Sequence, residues 1–274
     1  MPKRAFLPLL LLLLIAIAGP WLAPQNPYDL ASLDILDARL PPGSAAGSGA
    51  LHYLLGSDEQ GRDLLSAMLI GLRISLAVGL AGSALACALG VPVGLIAGYR
   101  GGRVDALLMR LADLQLSFPA LLVALVLLAA LGPGLGKVAL ALALAQWAWF
   151  TRLTRAAARG EARRDYVAAA RLCGATPLRI LHRHLLPNCL PTLLAVLPLQ
   201  LAAAMGLEAT LSFLGLGAPV TEPSLGLLVA NGFPYLLSGQ YWISLFPGLA
   251  LLLAIAACNA AADALQANST STTP

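Results

Sequence analysis

Charge is scarce in this sequence. Of its 274 residues only 11% are Asp, Glu, Lys or Arg, 59% are hydrophobic, and the mean hydropathy is +0.81. No soluble core buries that much apolar surface, so a water-soluble globular class is excluded and an all-α polytopic membrane protein is expected. Cysteines 87, 173, 189 and 258 form no Cys-x-x-Cys pair, and three of them lie in or beside hydrophobic runs. Neither a disulfide framework nor a zinc site is indicated. His182 and His184 are one residue apart, face different sides of a helix and make a poor metal pair. No His-Glu-x-x-His or Ser-centred elbow occurs, which argues against a membrane protease. Gly136-Lys137 resembles the end of a phosphate-binding loop, but Leu131 stands where a glycine is needed and Val138 where a hydroxyl is needed. No nucleotide, cofactor or catalytic site is therefore expected.

What charge there is lies in particular places. The net charge of +4 sits in loops, so it reports topology rather than nucleic-acid binding. Lys3 and Arg4 precede the apolar run 5–21, which reads as an uncleaved first transmembrane helix within 1–24, its N-terminus cytoplasmic. Residues 25–70 form a polar segment rich in Asp, suited to the periplasmic side, with a flexible link at 41–49. Residues 71–265 read as a five-helix core with spans at 71–98, 114–131, 138–150, 189–211 and 243–261. Arg110 and Asp113 are spaced for an i,i+3 ion pair, 212–241 reads as an outer loop, and 266–274 as a disordered tail. The result is about six spans with both termini inside. Because the spans hold almost no ionisable residues, an ion-coupled secondary transporter is the weaker alternative.

The loop 151–187 carries arginines at 152, 155, 159, 163, 164, 171, 179 and 183 against Glu161 and Asp165, a strong mark of the inner side. Within it, the stretch 161–188 divides at Gly174. Residues 165–173 favour helix, Gly174 suits its end, Thr176 can cap a second helix with Pro177 at its first position, and Pro187 is expected to stop it. Leu178, Leu181 and Leu185 line one face of that helix, with Ile180 and Leu186 beside them, while Arg179 and Arg183 stay solvated. Physics alone leaves two readings open: a passive basic loop, or a docking element.

Four blocks carry a resemblance: HYLLGSDEQGRDLLSAMLIGLRISLAVG (52–79), GLIAGYRGGRVDALLMRLADLQLSFPALL (94–122), DYVAAARLCGATPLRILHRHLLPN (165–188) and EATLSFLGLG (208–217). In these, over roughly 52–265, the chain resembles the second permease subunit of ATP-binding-cassette importers of the dipeptide, oligopeptide and nickel family. The resemblance implies the type I importer transmembrane-domain fold in a bacterial inner (plasma) membrane. It also implies a partner permease that is a different chain, two ATPase subunits that hydrolyse the ATP, and an extracytoplasmic solute-binding protein that sets most of the selectivity. It makes 161–188 the loop that docks on an ATPase, with Ala169, Ala170, Gly174, Leu186 and Pro187 matching the family pattern and Ala175, Thr176, Pro177, Leu178, Ile180 and Leu181 completing the coupling element. Ala168 replaces the usual Glu, which removes a possible salt bridge to the ATPase, and His184 stands where Ile is common. The C-terminus lacks the family's closing glycine, arginine and Asp-Pro, although Asn259 and Asp263 remain, and is expected to be trimmed without loss of function.

Peptides are the first expectation for cargo. A nickel ion or metal chelate is the alternative, because QWAWFTRLTR (146–155) looks somewhat closer to the nickel branch. Two further groups have double readings. Glu208, with Ser212 one turn later, is either a gate or subunit-contact residue of the translocation path or a hydrated interfacial carboxylate. Asp58, Gly61, Arg62 and Asp63 either meet the partner permease or binding protein or simply fold a loop that caps the bundle.

Overall fold

Small residues recur at every fourth position of one helix, α2 (Leu64–Arg100): Gly82, Ala86, Gly90, Gly94 and Gly98. Residues spaced by four lie on one helix face, and small ones there let a second backbone come close. That second backbone is α5 (Leu135–Glu161). A Cβ placed on Gly90 would sit 2.4 Å from the Trp147 carbonyl oxygen, and one on Gly94 would sit 2.5 Å from that of Thr151. The Thr151 hydroxyl donates across the seam to the Gly90 carbonyl at 3.2 Å.

The other helices are arranged around this pair in the computed structural model, which describes residues 6–29, 33–47, 49, 51–217, 219 and 222–271. Helix α1 (Leu7–Leu22) lies against α2 and α10 (Trp242–Ser271); α8 (Leu186–Phe213) packs on α2, α5 and α10. Helices α3 (Gly102–Ser117) and α4 (Ala120–Leu131) run beside α5. Two short helices, α6 (Asp165–Leu172) and α7 (Pro177–Ile180), lie at the arginine-rich end. Helix α9 (Leu225–Gly232) is inserted between α8 and α10. Five of the six expected spans each fall on one helix, and the third falls on the bent pair α3–α4. Among the described residues, three helical stretches can cross a membrane by length and apolar composition, Leu64–Arg100, Pro177–Phe213 and Trp242–Ala267. The bent pair α3–α4 makes a fourth if it counts as one crossing. Helix α1 is 16 residues long, short of the roughly 20 that a bilayer core needs. Helix α5 is 27 residues long but carries Arg152, Arg155 and Arg159.

Several local expectations are corrected. The third span is not one helix from 114: the chain turns by 85° between α3 and α4. Pro119 cannot continue α3, and Phe118 before it is extended at φ −94°, ψ 140°. Asp113 does not pair with Arg110 but reaches α5, where Arg152 holds it at 2.7 Å. Arg155 grips Asp105 with two hydrogen bonds of 2.7 and 2.6 Å, so α3 is fastened to α5 twice. The link at 41–49 contains half of a hairpin, β1 (Ser44–Ala45) with β2 (His52–Tyr53). The buried Tyr53 hydroxyl there donates to Asp37 at 3.1 Å, and burial together with that carboxylate pushes the phenol up to about 12. The expected outer loop 212–241 contains α9, whose Gly226 lies against the Ala209 backbone. The tail expected from 266 continues α10 as far as Ser271, because its alanine-rich stretch before Gln266 favours helix. Lys3 and Arg4, on which the N-terminal orientation rests, lie outside the described residues.

Close packing at the α2–α5 seam predicts opposite signs for two glycine substitutions. Gly94→Ala should destabilise by about 1–3 kcal/mol, since the new Cβ meets backbone. Gly248→Ala, where the nearest atom would be 3.9 Å away, should stabilise by about 0.5–1 kcal/mol. Thermal unfolding in detergent measures both.

Candidate functional site

The segment after α5 is built from two helix-ending devices. Helix α6 closes in a Schellman motif: Gly174, at φ +77°, donates its N–H to the Arg171 carbonyl, and Ala175 donates to that of Ala170, both at 3.0 Å. Only a residue without a Cβ takes that conformation freely. Thr176 then caps α7, its hydroxyl accepting from the Arg179 N–H at 3.4 Å. Pro187 does not stop the helix. Residues Leu181–Leu185 widen into a π turn, in which the Leu186 N–H reaches back to the Leu181 carbonyl, and the chain runs on into α8. A proline in an α-helix lacks one N–H and clashes with the carbonyl four residues back; the wider turn gives the ring room. The segment from Pro177 and the following span are therefore one continuous helical piece from Pro177 to Phe213.

Burial sorts the expected coupling residues into two groups. Ile180 and Leu185 are fully buried, together with Val167, against Val91, Leu95, Phe150 and Ala158. They fasten the segment to its own bundle. Leu178, expected on that face, points outward instead and is 69% exposed, and Leu172 is 90% exposed. Ala169, Gly174, Thr176, Pro177 and Pro187 are exposed; Ala170, Ala175, Leu181 and Leu186 are half-buried. Ala168, in the place of the family's Glu, is on the exposed side. Two further contacts brace the segment. The Tyr166 hydroxyl donates to Glu161 at 2.6 Å, and burial with that carboxylate pushes the phenol up to about 12. The Arg171 guanidinium lies 4.9 Å from the centre of the Tyr99 ring at the end of α2. Between α2 and α7 runs a groove of about 410 Å³, lined by Ile96, Tyr99, Arg100, Thr176, Leu178 and Leu181.

The remaining expected residues do not join this site, and they fall into two separate clusters. Asp58 and Arg62 form a buried pair, Nε to Oδ2 at 2.6 Å, with 3% and 4% of their side chains exposed. Asp63 caps α2, accepting from the Ser66 N–H at 2.8 Å and hydroxyl at 2.6 Å. The loop is tied to α10 by the Trp242 indole, which donates to the Ser57 carbonyl at 3.3 Å. These residues fold a cap over one end of the bundle, and their side chains are buried within this chain. Glu208 is also buried, 1% exposed, and accepts from Ser75 on α2 at 2.9 Å and from Ser212 at 2.6 Å. Ser224 donates to the Ser212 hydroxyl at 3.1 Å, and the Leu225 N–H donates to Ser75 at 3.2 Å. The carboxylate thus gathers α2, α8 and the start of α9, and it is not an exposed interfacial group.

Sequence reasoning missed the π turn, the outward Leu172 and a second groove of about 430 Å³ between α4, α5 and α8. Gln146 and Gln200 both line that groove, and Trp149 forms part of its wall. Two carboxamides inside apolar spans were the available signal.

Comparison with known proteins bears on all of this. The family model described as "Binding-protein-dependent transport system inner membrane component" matches residues 90–271. The di/tripeptide transport system permease protein of Pseudomonas aeruginosa is 39% identical over 258 residues, 94% of this chain and 84% of that one. The dipeptide transport system permease protein of Escherichia coli is 41% identical over 256 residues, 93% of this chain and 84% of that one. Among solved structures, a chain of the MetNI methionine ABC transporter in inward facing conformations matches with a TM-score of 0.56 at 20% identity, covering 73% of this chain and 96% of that one. The type I importer transmembrane fold is shared across that distance.

The buried loop pair predicts a double-mutant outcome. Asp58→Ala should cost about 3–5 kcal/mol, because it leaves the Arg62 charge buried without its carboxylate. Asp58→Ala combined with Arg62→Met should recover part of that loss in detergent melting curves.

Proposed function

The chain belongs to the family of binding-protein-dependent transport system inner membrane components, the permeases of ATP-binding-cassette importers of the dipeptide and oligopeptide type, and on that premise we propose that it moves di- and oligopeptides into the cell. It is a multi-pass membrane protein, here placed in the bacterial inner membrane. A second, different permease subunit, two ATPase subunits and an extracytoplasmic solute-binding protein complete the machine. ATP hydrolysis belongs to the ATPase subunits, and this chain transmits its effect. Peptides are favoured over nickel by the peptide permeases it is similar to; the nickel alternative keeps only the likeness of 146–155.

Energy enters through 161–188. One observation carries this reading: a segment pinned to its bundle by Val167, Ile180 and Leu185 turns Leu172 and Leu178 outward at the arginine-rich end. Exposed leucines on a braced, short helix are the makings of a docking surface, since a rigid apolar knob loses little entropy on binding. The arginines favour the cytoplasmic side for that end, where ATPases work. Because α7 continues through the π turn into α8, a displacement of the docked helix is carried to the span bearing Gln200 and Glu208. This is alternating access driven from outside the chain.

The test is uptake by the reconstituted importer with Leu178→Asp or Gly174→Asp in this subunit. Losing a central apolar contact costs about 2 kcal/mol or more, roughly thirtyfold in affinity. Leu178→Asp should therefore reduce ATPase co-purification by that order and depress peptide uptake while membrane insertion stays normal. Unimpaired uptake in both variants would sink the coupling role.

A further inference from the structure

The groove between α4, α5 and α8 has a chemical character that the importer role alone does not explain. It follows one face of α8, on which Gln200, Ala203, Gly206 and Thr210 succeed one another. Ten residues of helix make it about 15 Å long. Gln146 stands near the middle of α5 and Gln200 near the middle of α8. Both lie within apolar stretches of their helices, where an unmatched polar group is poorly tolerated. Each is only 7% exposed, and Gln146 Oε1 has no hydrogen-bond partner. Ser83 reaches α8 beside Gln200, but it donates to the backbone carbonyl at 3.5 Å and leaves the carboxamide side chain aside. A buried carbonyl oxygen without a donor in a native protein calls for a visitor that brings one. The groove's volume of about 430 Å³ lies in the range of small-molecule pockets.

We propose that this groove is a cargo-binding site of the permease and that Gln146 and Gln200 read the peptide bond itself. The inference rests on the peptide reading above and deepens it. A carboxamide presents one acceptor and two donors without charge, the complement of a peptide group, which offers an N–H and a C=O. Gln146 Oε1 accepts the cargo N–H, and the Gln200 carboxamide donates to the cargo C=O. Neither contact depends on a side chain, so the site accepts peptides of many sequences. The Trp149 face supplies an apolar wall against which varied side chains can lie. Ala203 and Gly206 leave the room, having little or no side chain of their own. A neutral site also avoids the desolvation cost that a buried charge would carry.

The experiment uses the complete importer in proteoliposomes and compares initial uptake of Ala-Ala with that of its ester isostere, alanyl-lactate, which lacks the N–H. Wild type is compared with Gln146→Leu/Gln200→Leu and with the better size match Gln146→Met/Gln200→Met. The same binding protein delivers both cargoes, so its selectivity cancels from each variant-to-wild-type ratio. The expected result is a fall of about tenfold in Ala-Ala uptake and a smaller one, of about threefold, in ester uptake, since the ester keeps its C=O for Gln200 but brings no N–H for Gln146. ATP hydrolysis and co-purification of the second permease should remain at wild-type levels. Equal losses for peptide and ester, or no loss, would overturn amide reading by this pair. Loss of the second permease from both variants would overturn it too, assigning the groove to a subunit contact. No Ala-Ala uptake by wild type, with the assembly intact and hydrolysing ATP, would instead overturn the peptide reading on which the inference stands.

Discussion

The close approach of α2 and α5 is the constraint on which the rest depends. At Gly90 and Gly94 the two backbones are so near that a single methyl group would meet a carbonyl oxygen. In a bilayer there is no hydrophobic effect to press helices together, so contact of this kind, made by small residues in a row, supplies much of the association. Everything at the arginine-rich end is then referenced to that pair. Arg155 and Arg152 on α5 hold Asp105 and Asp113 of α3. Val91 and Leu95 of α2, with Phe150 and Ala158 of α5, form the floor on which Val167, Ile180 and Leu185 rest.

From this floor the mechanical layout follows. The segment 165–180 is held on its inner side and free on its outer side, and its far end is continuous with α8. A π turn at the join lets the helix pass Pro187 without a break. On the proposed function, an ATPase pressing on α7 moves a lever whose other end holds Gln200 in the groove and Glu208 in the serine cluster. Glu208, shared among Ser75, Ser212 and the turn before α9, is well placed to keep α9 in step with α2 and α8.

Much of this was legible in the residues, for reasons that can be named. The six apolar stretches located the helices because a bilayer tolerates few alternatives. Gly174, Thr176 and Pro177 gave the turn between α6 and α7 because each has a narrow backbone role, and all three occupy those roles. Pro187 misled, since a helix-breaking residue was read without the wider turn that rescues it. Leu178 and Leu185 were assigned to one face on ideal α-helical periodicity, which the π turn between them shifts. Asp58, Arg62 and Glu208 each carry two readings in the sequence, a partner contact or a local role, because charge in a greasy chain attracts notice. Asp58 and Arg62 pair over only four residues, but Glu208 meets Ser75 across 133 residues, and no local pattern encodes that. Gln146 was overlooked beside more conspicuous tryptophans.

Cys173 offers the most direct test of coupling through 161–188. It lies in the turn between the outward leucines and is exposed, whereas Cys189 and Cys258 are buried and Cys87 is half-buried. A membrane-impermeant thiol reagent applied to inside-out vesicles should label Cys173 when this permease is present without the ATPase subunits. It should be shielded by an order of magnitude or more once they are assembled, as expected for a residue enclosed in a packed interface. Equal labelling with and without the ATPase subunits would contradict docking at this segment and return it to a passive basic loop.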